Sequence, residues 1–96
     1  MGNIEFAWDR RKAQSNLVKH GISFEDAKTV FLDENARLID DPDHSEDEER
    51  FVLLGYSFRA RCLVVNHSYR KFDSVIRLIS ARRATMQEEE MYWRLR

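Results

Sequence analysis

The chain has one cysteine, one proline and three glycines in 96 residues. Cys62 alone excludes an internal disulfide and leaves a cysteine-built zinc site without its ligands. It sits in an apolar stretch, which makes a buried, inert thiol the expected state. The few glycines form no phosphate-binding loop, and neither an HExxH pair nor a nucleophile elbow is present. No apolar run approaches the ~20 residues of a membrane span, and no secretory leader is visible. These absences lead us to expect one domain over residues 1–96, no cofactor or metal, no membrane contact, and a reducing cytoplasm as its location.

What is present is charge, unevenly placed. The formal net charge is −1, with 34% charged residues and 43% hydrophobic ones. Residues 40–49 carry Asp40, Asp41, Asp43, Glu46, Asp47, Glu48 and Glu49 and no Lys or Arg. From Arg50 to Arg96 there are ten Lys or Arg against four Asp or Glu. A basic half suggests an anionic partner. The acidic stretch contains Pro42 but no glycine and lacks calcium-loop spacing, so a solvated loop or a docking surface for a basic partner is expected there.

Local signals divide the chain. Ile4–Trp8 reads as a short strand. Asp9 can cap a helix that Gly21 ends, with Ala13, Leu17 and His20 on one face. Ser23 starts a second helix, striped by Phe24, Ala27, Val30 and Phe31, ending near Leu32. Ala36–Ile39, Phe51–Phe58 and Cys62–Tyr69 read as strands, the last two joined by Arg59-Ala60-Arg61. Thr85 and Glu88 stand at N-cap and N3 of a final helix, a capping box, with Met91, Tyr92 and Leu95 to pack one side. The expected order is β-α-α-β-β-β-β-α: an α+β fold, an antiparallel sheet with two N-terminal helices and one C-terminal helix.

The stretch Ser74–Thr85 organises the rest. Val75, Ile76, Leu78 and Ile79 favour a strand inside the sheet. Strict alternation would point Val75, Arg77, Ile79, Ala81 and Arg83 one way, and Ile76, Leu78, Ser80 and Arg82 the other. A guanidinium keeps its proton, so a buried one must be paired. Arg77 is expected to be a structural ion-pair partner. Arg82 and Arg83 are answered either by a protein carboxylate or by an anion from outside.

Polar groups gather at two strand ends: His67, Ser68, Tyr69 and Arg70, and Ser80, Arg82 and Arg83. Antiparallel pairing sets the end of one strand beside the start of the next, so their meeting requires a strong twist. Brought together, they would suit RNA cleavage without metal, in which the ribose 2′-OH attacks the adjacent phosphate. Arginine offers fixed donors matched to phosphate. His67 has an ordinary pKa near ~6.5, suited to proton transfer, and Tyr69 is the weaker alternative. Equally, His67 can be a structural histidine and Ser80 can bond only backbone.

Several segments resemble the BrnT family. They are Phe6-Ala7-Trp8-Asp9, Lys12–Asn16, Lys19-His20-Gly21, Phe24, Ala27, Val30-Phe31, Glu49-Arg50-Phe51 and Gly55. The most specific is Ile76-Arg77-Leu78-Ile79-Ser80-Ala81-Arg82-Arg83-Ala84, followed by Glu88 and Tyr92. The resemblance implies a toxin of a type II toxin–antitoxin system with a RelE-like fold and ribonuclease activity that blocks translation. It implies a BrnA-like antitoxin in a hetero-oligomer, with DNA reached only through that antitoxin. It makes Arg70 and Arg82 the leading toxicity residues, with His67 and Ser80 nearby; we expect these four to be catalytic, and Arg83 and Lys71 to contact RNA. The competing expectation is a non-enzymatic module whose arginines grip an acidic antitoxin segment in operon autorepression.

Overall fold

A computed structural model describes residues 4–40, 50–70 and 74–94, without the side chain of Arg70. The acidic stretch 41–49, Lys71 and Leu95 lie outside these residues. Strand β1 (Glu5–Trp8) leads into helix α1 (Arg10–His20) and helix α2 (Phe24–Lys28), which tightens into a 3-10 turn over Thr29–Leu32. Strands β2 (Arg37–Ile39), β3 (Arg50–Tyr56), β4 (Cys62–Arg70) and β5 (Val75–Arg83) follow, then helix α3 (Met86–Arg94).

The five strands form one sheet in the order β1-β5-β4-β3-β2. β2 to β5 are antiparallel neighbours, but β1 lies parallel to β5, with Phe6 beside Ile76 and Trp8 beside Leu78. The sheet is therefore mixed, which corrects the antiparallel expectation. The reason is that a helix, not a hairpin, follows β1, so β1 is free to pair at the far edge with the last strand.

Each helix begins and ends where side-chain chemistry dictates. The Asp9 carboxylate accepts from Arg11 N–H at 2.7 Å and Lys12 N–H at 3.2 Å. Gly21 closes α1 in the left-handed region at φ 73°, where a side chain would be strained. Ser23 Oγ accepts from Asp26 N–H at 3.0 Å. Thr85 and Glu88 complete the capping box of α3, at 3.1 Å and 2.8 Å.

On one face of the sheet, α1, α2 and the 3-10 turn cover a core of Ile22, Phe24, Ala27, Val30, Leu53, Leu63, Val65, Ile76, Leu78 and Ala81. On the other, α3 packs Tyr92 over Val52, Leu54, Cys62 and Val64. We call these the helical face and the α3 face. Contrary to the 13/17/20 stripe, Leu17 stays half-exposed and the buried residue of α1 is Asn16. Its Nδ2 donates to Ile22 O and Ala81 O, both at 2.9 Å, while its Oδ1 accepts from Ala81 N–H at 2.9 Å. β1 pairs with β5 only as far as Leu78. Asn16 thus takes the place of a strand residue at Ala81, satisfying a buried backbone donor and acceptor at once.

Asn16→Leu keeps the volume but orphans these groups. It is expected to destabilise the fold by about 3 kcal/mol in urea denaturation; a loss below ~0.5 kcal/mol would contradict the strand-substitute role.

Candidate functional site

The β4–β5 register decides which side chains share a surface. Val64 pairs with Arg82, Val65 with Ala81 and Asn66 with Ser80, but His67 pairs with Leu78. Ile79 has no partner, which makes a β-bulge. Strict alternation along β5 therefore fails. Ile76, Leu78 and Ala81 are buried in the helical core, and Arg77, Ser80 and Arg82 share the α3 face.

Arg77 is exposed and, among the described residues, is not joined to the carboxylate expected for it from the sequence. Alternation with the buried Ile76 and Leu78 sets it on the side away from α1 and α2, and the bulge brings Ser80 and Arg82 to that same side.

α3 occupies only part of its face. The side chains of this face stand in rows about 7 Å apart, the spacing of same-side residues along a strand. One row holds Arg50, Ser68 and Arg77; the next holds Val52, Asn66 and Ser80; the third holds Leu54, Val64 and Arg82. Asn66 Oδ1 is buried with no hydrogen-bond partner among the described residues. An arginine-bearing row thus flanks the Asn66–Ser80 row on each side.

Arg82 is held. Its Nη1 and Nη2 donate to the two carboxylate oxygens of Glu88, each at 2.9 Å, and Nη1 also reaches Arg83 O at 3.2 Å. The Arg82 guanidinium, with the Thr85 cap, holds the Glu88 carboxyl down at about 2. About a third of the Arg82 side chain remains exposed. The protein carboxylate, one of the two answers open for Arg82 from the sequence, is therefore present.

The sequence-derived residues do not all converge. Ser80 and Arg82 are neighbours on the α3 face. Arg70 pairs with Val75 at the far end of β4, six residues and about 20 Å from Val64 opposite Arg82. Arg83 is exposed at the end of β5, beside Leu63. Lys71 falls outside the described residues.

His67 lies on the opposite side of the sheet, buried at 5% exposure. Its ring meets Phe31 edge-on at 4.8 Å and Phe51 at 6.0 Å, and its Nδ1 is 3.2 Å from Val65 O. Burial pushes its pKa below the ordinary value, against a smaller upward pull from Val65 O. Tyr69 shares that side, opposite Ile76, and is 40% exposed. Cys62 is a buried free thiol, pushed up to about 11, first by burial.

Arg77, Asn66 and Glu88 were not singled out as site residues by the sequence. Asn66 and Ser68 had a signal, as polar residues two apart just after the apolar Cys62–Val65 half of the strand. Glu88 had one too, but as a cap. Its reach back to Arg82 depends on how α3 docks.

With the fold and this surface in view, relatives can be compared. The crystal structure of the Brucella abortus ribonuclease toxin, BrnT, matches with a TM-score of 0.67 and 21% identity, over 88% of this chain and 100% of that one. At that identity the likeness establishes the fold. The class is that of ribonuclease toxins from type II toxin–antitoxin systems, whose family description matches residues 8–88. The chain belongs to the BrnT family. No curated protein matches it.

The buried histidine gives a pH test. Its folded pKa lies below the unfolded one, so the unfolded chain binds the proton more readily. The contribution of neutral His67 is complete above the unfolded value of ~6.5 and is lost as pH falls through that value toward the folded pKa. His67→Leu is expected to flatten the fall in urea midpoint between pH 7.5 and 5.5. An unchanged slope would mean that His67 does not titrate on unfolding.

Proposed function

We propose that the chain is an endoribonuclease that cleaves RNA on the part of the α3 face left uncovered by α3, and that it thereby inhibits translation as the toxin partner of a BrnA-like antitoxin in the cytoplasm. Family membership supports the reaction class. The observation that carries the surface is the Asn66–Ser80 row bracketed by Arg77 and Arg82.

The reaction follows from what those groups offer. The ribose 2′-oxygen gives its proton to water and bonds to phosphorus, the bond from phosphorus to the 5′-oxygen breaks as that oxygen takes a proton from water, and a 2′,3′-cyclic phosphate and a 5′-hydroxyl remain. Negative charge grows on the non-bridging oxygens in the transition state. Guanidinium donors aimed there contribute by preorganised electrostatics and need no metal. Arg82 and Arg77 supply those donors, and Ser80 offers a hydroxyl between them. Arg70 and Lys71 serve phosphates further along the strand, whereas Arg83, opposite Leu63, stands at the end of β5 on the other side. Under this reading His67 supports the sheet from the dry side.

A second reading has its own observation. Arg82 already grips a carboxylate, so the same surface suits an acidic segment of the antitoxin, with the chain acting in operon autorepression.

Incubating the purified chain with RNA, with and without EDTA, separates the two. Cleavage that survives EDTA and leaves cyclic phosphate ends is expected. Arg82→Ala and Arg77→Ala should each keep the fold and slow cleavage by about 10²-fold or more. Absence of cleavage of both free and ribosome-bound RNA would favour the binding module. Full activity in both variants would remove this surface as the site.

A further inference from the structure

One carboxylate on this surface performs two tasks. Glu88 Oε1 accepts from the Thr85 backbone N–H at 2.8 Å and from Arg82 Nη1 at 2.9 Å, while Oε2 accepts from Arg82 Nη2 at 2.9 Å. In return, Glu88 N–H donates to Thr85 Oγ1 at 3.1 Å. The first turn of α3 and the guanidinium of β5 are thus built on the same group.

α3 is in turn fixed to the sheet. The Tyr92 hydroxyl donates to Asp33 Oδ2 at 2.8 Å, and that oxygen also accepts from Tyr56 N–H at 2.9 Å. Tyr56 hydrogen-bonds Glu89, and Trp93 Nε1 donates to the Tyr56 hydroxyl at 3.1 Å. These contacts determine where Glu88 stands.

We propose that Glu88 is a positioning residue, which fixes the Arg82 guanidinium on the RNA-facing surface and makes that placement depend on the docking of α3. The proposal rests on the reading of Arg82 as a phosphate-facing group. A long arginine samples many rotamers, and a transition state gains most from a donor already in place. A bidentate carboxylate removes that freedom, as neutral partners do not. Its low pKa keeps Glu88 ionised across the physiological range. The exposed third of Arg82 leaves an approach for a phosphate oxygen.

The test compares Glu88→Ala, Glu88→Gln, Thr85→Ala, Arg82→Ala and the Arg82→Ala/Glu88→Ala double variant. Single-turnover cleavage at saturating RNA, affinity for a 2′-O-methyl RNA oligomer and melting temperature are measured for each. Glu88→Ala should slow cleavage about ten-fold while RNA affinity stays within about two-fold. Glu88→Gln, which still offers a cap acceptor but no charge, should show a smaller loss. Thr85→Ala weakens the cap but spares the ion pair, so it should melt lower and lose less activity than Glu88→Ala. The double variant should be no slower than Arg82→Ala alone. The inference is overturned if Glu88→Ala and Glu88→Gln cleave normally while Arg82→Ala does not. It is also overturned if Thr85→Ala and Glu88→Ala lose activity in step with their melting temperatures. Normal cleavage by Arg82→Ala would overturn the reading of Arg82 itself, and this inference with it.

Discussion

The unpaired residue Ile79 governs what each side of the sheet carries. A regular β5 would set Ser80 and Arg82 on the same side as Ile76 and Leu78. Those two are 6% and 1% exposed beneath the helices, where an arginine would need a buried partner. One extra residue resets the phase. The apolar half of β5 then faces the helical core, and the polar half turns toward the α3 face with Arg77. Ala81 is the one later residue that returns to the helical core, and it is small enough to let Asn16 reach its backbone.

The two sides therefore have different physics. The helical side is dry and aromatic. Phe6 meets Phe31 at 5.2 Å, Trp8 meets Phe24 at 5.8 Å, and His67 is held neutral against Phe31. The other side is divided by α3. Where the helix docks, polar contacts are tightly specified. Packing is as close on the helical side at Gly55, opposite Leu63, where a Cβ would lie 2.9 Å from Ala36 Cβ and 3.0 Å from Val30 Cγ1. Only glycine lets the 3-10 turn and its Asp33 come down on β3. Beyond α3, the rows from Arg82 to Arg77 carry guanidinium, hydroxyl and amide groups on a rigid sheet, the kind of support a precise site needs.

Local chemistry was legible in the sequence, and pairing between distant segments was not. Asp9, Gly21, Ser23 and the Thr85–Glu88 box mark helix ends because each acts within four residues. The turn at Arg59-Ala60-Arg61 was legible for the same reason. The parallel placement of β1 depends on a strand some seventy residues away, and nothing near Phe6 announces it. The bulge was hidden because Ser74–Thr85 alternates plausibly in either phase. With the phase misread, Ser80 and Arg82 were set on the side of Ile76 and Leu78, and His67 and Ser80, which stand on opposite sides of the sheet, were drawn into one cluster. Asn16 escaped notice because a polar residue inside a helix is ordinarily taken as solvated.

The claim on which all of this turns is that phosphate is received on the α3 face beside β4 and β5, and not on the helical side. Backbone amide shifts during titration with a 2′-O-methyl RNA oligomer test it directly. Shifts should concentrate at Asn66, Ser68, Arg77, Ser80 and Arg82, and leave Asn16, Ala27 and Val30 in place. Shifts confined to α1 and α2, with β4 and β5 unmoved, would contradict it.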